Sequence, residues 1–275
     1  MWDRLTNISA NESPKIIIYG PPGIGKTTLA SEFPSPVFIQ IEDGIPSGMS
    51  ISSFGLLETY EEVIEAMRSL CKEDHQFQTL IIDSLDKMEA LLAESISRKN
   101  GWQNISTPKY GAGYIACDIE WKKFLNALDV LKSRKNMTIV AICHSSIERF
   151  DDPSIESYSQ YDLNLHKRSK PIICAEFDAI LFLKQDVQLK EDQAGFSKRS
   201  IAEGLNRIIF CEGRPSFIAK NRYNMPYKIK YNKGKGYEEL SKYFPKKKIF
   251  ENKPINNSKD NEDDEEENGD EGIVL

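Results

Sequence analysis

The run Gly20-Pro21-Pro22-Gly23-Ile24-Gly25-Lys26-Thr27-Thr28 constrains this chain more than any other stretch. It fits the spacing G-x-x-x-x-G-K-[ST], follows the apolar Lys15-Ile16-Ile17-Ile18-Tyr19, and opens a helix-compatible segment from Lys26 to Glu32. A strand that turns through a glycine-rich loop into a helix is a device for holding phosphate. Glycines permit a tight loop whose N–H groups converge on phosphate oxygens. Lys26 brings a point charge to the terminal phosphates, and the Thr27 hydroxyl can ligate Mg²⁺. A glycine-rich turn without a ligand has no need of every fixed position and both flanks. Residues Gly20 to Thr28 are therefore read as a binding loop for a nucleoside triphosphate.

The rest of the chain repeats the strand-then-helix alternation. Apolar runs at Val37-Phe38-Ile39-Gln40-Ile41, Thr79–Ser84, Thr138–Cys143 and Ala179–Leu183 read as four further buried strands. Between them, Val63, Met67, Leu70 and Cys71 recur at helical spacing behind a Thr59/Glu62 capping box. Leu85 to Ile96 is again helical in pattern, and a long amphipathic helix is predicted from about Tyr114 to Ser133. The polar stretch Glu148 to Lys170 reads as a long loop or hairpin, and shorter hairpin-like runs surround Ile208-Ile209-Phe210 and Phe217-Ile218-Ala219. Such alternation implies an α/β fold with a mainly parallel central sheet flanked by helices, and with ligands at the carboxyl ends of the strands. The expected organisation is an N-terminal segment over 1–13, an ATPase core over 14–249 and a disordered acidic tail over 250–275.

Charge is distributed unevenly. From Asp260 to Leu275 there are nine acidic residues and no basic ones, whereas Lys198 to Lys259 holds sixteen Lys or Arg against five Glu. A basic segment followed by an acidic tail implies a polyanion partner and something that competes with it. The five cysteines are scattered without C-x-x-C spacing, which argues against a zinc site or a disulfide framework. No apolar run approaches the about 18 residues of a membrane span, and Met1 to Pro14 lacks a signal-peptide core. A soluble, cytoplasmic protein with no membrane partner is expected.

Asp83 closes the run Leu80-Ile81-Ile82 and reads as the strand-end acid that holds Mg²⁺ with Thr27. Four segments then match one group in order: the phosphate loop, Ile41-Glu42-Asp43-Gly44, Ile82-Asp83-Ser84, and Ala219-Lys220-Asn221-Arg222-Tyr223-Asn224-Met225-Pro226. Together they resemble phage nucleotide-binding proteins with a RecA-like P-loop core, a group that includes single-strand annealing and recombination ATPases. The last segment is similar to the Lys-Asn-Arg-Phe-Gly motif of the bacterial RadA (Sms) proteins, with Tyr223 for Phe and Asn224 for Gly.

The resemblance implies a strand order 5-1-4-3-2 and a set of roles. Glu42, at the end of the second strand, would be the general base toward the attacking water, with Asp43 and Asp86 as lesser candidates. His144 or Ser145, at the tip of the fourth strand, would sense the γ-phosphate. Lys220 and Arg222 would reach the ATP held by a neighbouring subunit, which implies a homo-oligomer sharing its sites. Loops carrying Trp102, Lys109, Tyr110 and Tyr114, then Arg149, Phe150, Tyr158, Tyr161, Lys167, Arg168 and Lys170, interleave rings and cations in a way that suits single-stranded DNA. The acidic run ending in Ile273-Val274-Leu275 resembles the tail of bacterial single-strand-binding proteins, and implies docking to a replication or recombination partner. The expected activity is Mg²⁺-dependent ATP hydrolysis stimulated by DNA, in phage-type recombination, annealing or replication. A nucleotide or small-metabolite kinase and a nucleotide-gated, non-hydrolysing DNA-binding scaffold are the alternatives.

Overall fold

The computed structural model describes residues 13–151, 153, 156–192 and 199–245. The acidic tail and most of the N-terminal segment lie outside these residues. Five strands form the middle of the sheet: β1 (Lys15–Gly20), β2 (Pro36–Gln40), β4 (Thr79–Asp83), β5 (Thr138–Phe150) and β7 (Ala179–Asp192). Their order is β7-β1-β5-β4-β2, all parallel, which is the 5-1-4-3-2 arrangement expected from the sequence.

Within the parallel core, over 15–20, 36–40, 79–83, 138–143 and 179–183, these strands are covered on both faces, which is why they read as continuous apolar runs rather than alternating ones. Ile17 and Tyr19 of β1 join a core with Val63, Met88, Trp121 and Phe124. These come from α2 (Tyr60–Lys72), α3 (Leu85–Lys99) and α4 (Ala112–Lys135). Ile16 and Ile18 point the other way, into a second core with Leu29 and Ala30 of α1 (Lys26–Ser31) and Leu240 of α6 (Gly236–Ser241). The predicted capping box is present: Glu62 N donates to Thr59 Oγ1 at 3.2 Å, and Thr59 N donates to Glu62 Oε2 at 3.0 Å.

Two elements, β3 and α5, were absent from the sequence reading, and two of its hairpin readings take a definite form. A sixth parallel strand, β3 (Ser52–Leu56), adds to the edge beyond β2. The stretch after Cys143 is an antiparallel hairpin, because β5 runs on to Phe150 and pairs with β6 (Tyr158–Leu163). A short helix, α5 (Ser169–Glu176), then leads into β7. Finally, β7 continues to Asp192 and pairs antiparallel with β8 (Arg199–Phe210), which pairs in turn with β10 (Lys228–Tyr231). The β7–β8 pairing shifts register between Asp186 and Val187, so the arm carries a bulge just outside the Gln185↔Arg207 pair. The two-residue β9 (Lys220–Asn221) pairs with the start of β7.

Candidate active site

Parallel register brings four strand ends together. Gly20 of β1 sits opposite His144 of β5, Ile142 opposite Asp83 of β4, and Asp83 opposite Gln40 of β2. The chain then leaves β2 with Ile41 N and Glu42 N both donating to the Asp83 carbonyl, at 2.7 and 3.2 Å. Glu42 is thereby fixed beside the strand-end acid. Together with the phosphate loop, these residues line a cleft of about 460 Å³.

Two glycines of the loop are required by geometry. A Cβ on Gly20 would fall 2.2 Å from the Leu183 carbonyl oxygen, so only glycine lets the loop lie against β7. Gly25 has φ of 102°, a left-handed value that side chains resist. Lys26 follows at the start of α1, and its ammonium donates to the carbonyls of Gly20 and Pro21 at 3.0 and 3.1 Å. Burial lowers its pKa, against the nearby carboxylates Asp83 and Asp86, which raise it. Desolvated cations of this kind interact strongly with an anion that enters the cleft.

Thr27 Oγ1 donates to Asp83 Oδ2 at 2.9 Å. Burial pushes the Asp83 carboxyl above its ordinary range, although the Thr27 hydroxyl pulls it down. Hydroxyl and carboxylate oxygens side by side are the hard donors that Mg²⁺ prefers. Among the described residues no cluster of three or more His, Cys, Asp or Glu could hold a metal by itself. The Thr27 and Asp83 oxygens fit an ion that completes its shell with phosphate oxygens and water, as Mg²⁺ does in nucleotide sites.

A second polar line runs from Asp83 outward. Ser84 Oγ donates to Glu42 Oε2 at 3.2 Å, and His144 Nδ1 lies 3.9 Å from that same oxygen. The same ring nitrogen is bound more closely by Asp86 Oδ2, at 2.9 Å. Asp43 lines the cleft, whereas Asp86 stands behind His144 and lines a separate cavity between α3 and the segment 164–169.

The structure places Lys220 and Arg222 elsewhere. Lys220 pairs with Ile180 and Arg222 N donates to the Asp178 carbonyl, so both lie at the amino end of the sheet, opposite the phosphate loop. Lys220 Nζ donates to the Cys174 carbonyl at 2.8 Å, and Arg222 forms an ion pair with Asp178 at 3.1 Å. Neither lines the cleft of its own chain. Two cations that sequence reasoning passed over do line it: Arg207 of β8 and Lys233, just after β10. Their placement depends on antiparallel pairing across distant segments, which leaves no local signature.

The ring-and-cation loops divide in two. Tyr161 packs against Phe182, Arg168 pairs with Asp118, and Lys170 is enclosed by Glu148 and Asp162. These residues are committed to the fold. Tyr114 stacks on His166 with ring centroids 4.7 Å apart, and Phe150 packs against Tyr158. Tyr110 is 98% exposed, and Lys109, Arg149 and Lys167 are also at the surface. All five cysteines are free thiols, and no helix among the described residues is long and apolar enough to cross a membrane.

Comparison with known proteins adds three findings. The chain is similar in structure to the RadB recombinase, with 15% identity and a TM-score of 0.44 over 81% of this chain and 90% of that one. No curated protein sequence matches it. A family model described as an AAA domain matches residues 12–223. That span takes in β1, the whole phosphate loop, Asp83 and His144, and the chain belongs to the AAA domain family.

Proposed function

We propose that this protein is a Mg²⁺-dependent, homo-oligomeric ATPase that acts on single-stranded DNA in recombination, annealing or replication of the phage type. One observation carries the reading of the chemistry: the Thr27–Asp83 pair stands beside Glu42, which accepts from Ser84 and has the His144 ring 3.9 Å away. Mg²⁺ held by Thr27 and Asp83 would offset charge on the phosphate oxygens. Lys26 and the loop amides bind and orient the terminal phosphates. Glu42 lies one strand away from Asp83 and accepts the proton of the attacking water, a contribution of about 10²–10⁴-fold for a placed base. His144 lines the cleft opposite Gly20, where β5 leaves the parallel sheet, and would sense the terminal phosphate from there.

DNA is proposed for the surface that remains uncommitted at the same end of the sheet. The β5–β6 hairpin exposes Ile147 and Phe150 beside Arg149, and Tyr110 and Lys109 stand at the start of α4. Bases stack on such rings while phosphates meet the cations. Lys220 and Arg222 face away from their own site, which suits contact with ATP on a neighbouring copy. The deciding measurement is phosphate release from ATP with and without single-stranded DNA, with Lys26→Ala as the control. DNA-stimulated release that Lys26→Ala abolishes supports the reading. Near-normal turnover by Lys26→Ala would sink it, and release that needs a small-molecule acceptor would favour a kinase.

A further inference from the structure

We propose that Arg207, assisted by Lys233, is a phosphate-binding cation supplied by the same chain that supplies Lys26. The proposal rests on the reading of the cleft as an ATP site and extends that site onto the antiparallel part of the sheet. Three observations carry it.

The first is facing. Ile209 lies in the core beneath α1, and residues two apart on a strand share a face. Arg207 therefore points to the side of the sheet where the phosphate loop turns into α1. The second is reach. A Cβ on Gly25 would lie only 2.7 Å from Arg207 Nη1, which puts the guanidinium against the loop at the residue before Lys26. The third is partnership. Arg149, Arg168, Arg214 and Arg222 each hold a carboxylate. Among the described residues, Arg207 and Lys233 form no ion pair, although both line a cleft. An unpaired guanidinium beside a phosphate loop matches the fork geometry of a phosphate oxygen pair.

Lys233 is held in place by α1 itself. Glu32, the residue that ends that helix, accepts from Tyr231 Oη at 2.8 Å, Gly234 N at 2.7 Å and Gly236 N at 2.5 Å. The turn after β10 is thus fastened to the element that begins with Lys26. The cleft is divided as a result. Arg207 and Lys233 come from the β8–β10 side and Asp83, Glu42 and Asp43 from the β4–β2 side, with Lys26 between them at the start of α1. A polyphosphate would lie along the seam between them.

The test uses two probes, ATP and inorganic tripolyphosphate, so that phosphate contacts are separated from contacts with the base. Arg207→Gln keeps the aliphatic stem and removes the charge. It should weaken binding of both probes by about tenfold or more, the scale of a hydrogen bond to a charged group. Arg207→Ala, checked for folding by thermal unfolding, should do the same. A loss confined to ATP, with tripolyphosphate binding unchanged, would assign Arg207 to the base and overturn the proposal. Unchanged affinity for both probes would overturn it as well. Mixing the Arg207→Gln and Lys26→Ala proteins should restore no turnover, because both defects fall in one site. Recovery would place Arg207 in a neighbour's site instead. Failure of the wild-type protein to bind either probe would refute the ATP site itself and this proposal with it.

Discussion

His144 holds Asp86 twice, through its backbone N–H to Oδ1 at 3.1 Å and through its ring Nδ1 to Oδ2 at 2.9 Å. The ring bond to Asp86 raises the imidazole pKa, against burial and Lys26, which lower it, while Glu42 adds to the rise. On the carboxylate side, burial pushes Asp86 up, but the His144 bonds outweigh it and hold the group below the usual range. The signs decide a pH window. A raised imidazole contributes stability that is complete below its unfolded pKa of about 6.5 and fades as pH rises through the folded value. A depressed carboxylate contributes stability above about 3.9 that is lost as pH falls through its folded value. Their joint contribution is therefore greatest between about pH 4 and 6.5. Urea unfolding of the wild type and of His144→Gln should differ most in that window, and the difference should shrink as pH rises through the folded imidazole value; a constant difference across the range would show that the ring acts only by packing.

Glu42→Gln should bind ATP normally and lose at least about 10²-fold in hydrolysis. Asp86→Asn leaves one accepting oxygen where His144 now binds two and removes the charge, and it should cost less, because Asp86 does not line the cleft. Steady-state turnover of the two proteins settles the roles. The reverse order of effects would move the base to Asp86.

Arg222 cannot serve the phosphate loop of its own chain from the far end of the sheet. Arg222→Ala leaves Asp178 with the Lys15 N–H at 3.0 Å and Lys132 Nζ at 3.8 Å, so the fold should lose under about 1 kcal/mol. Mixed with Lys26→Ala, it should recover part of the turnover, since each hybrid interface can then contain one intact site. No recovery at any ratio, despite demonstrated co-assembly, would make Arg222 a structural residue.

The β10 strand presents Lys228 and Lys230 outward while Ile229 and Tyr231 face the core. Replacing Lys228, Lys230 and Lys235 with Ala should flatten the dependence of single-stranded DNA affinity on salt, because fewer counterions are released. Lys233 is spared in that variant because it lines the nucleotide cleft. An unchanged slope would place the DNA elsewhere.

The parallel core was readable from the sequence because each of its strands contains an apolar run bounded by polar or turn residues. Gly20 and Asp83 could be placed from that pattern, whereas Glu42 and His144 were singled out through the resemblance to RecA-like proteins. β3 escaped because Ser52-Ser53-Phe54-Gly55-Leu56 is a largely exposed edge strand with no apolar alternation to betray it. α5 escaped because Pro171 and a short, half-apolar sequence look like a loop. Arg207 was out of reach for a different reason. Its place is set by pairing with Gln185 and Tyr231, each more than twenty positions away in the chain.

The bulge between Asp186 and Val187 divides the β7–β8 arm into two zones of mutational tolerance. Inside it, the pairs from Gln185↔Arg207 to Phe182↔Phe210 are in step with the core. An odd insertion there would turn Arg207 to the opposite face and pull Ile209 out from under α1. Outside it, the register has already been reset, so paired residues can be added or removed without that penalty. Length variation along this arm should therefore accumulate beyond Val187, and a library of hairpin insertions should show the boundary as an abrupt fall in nucleotide binding.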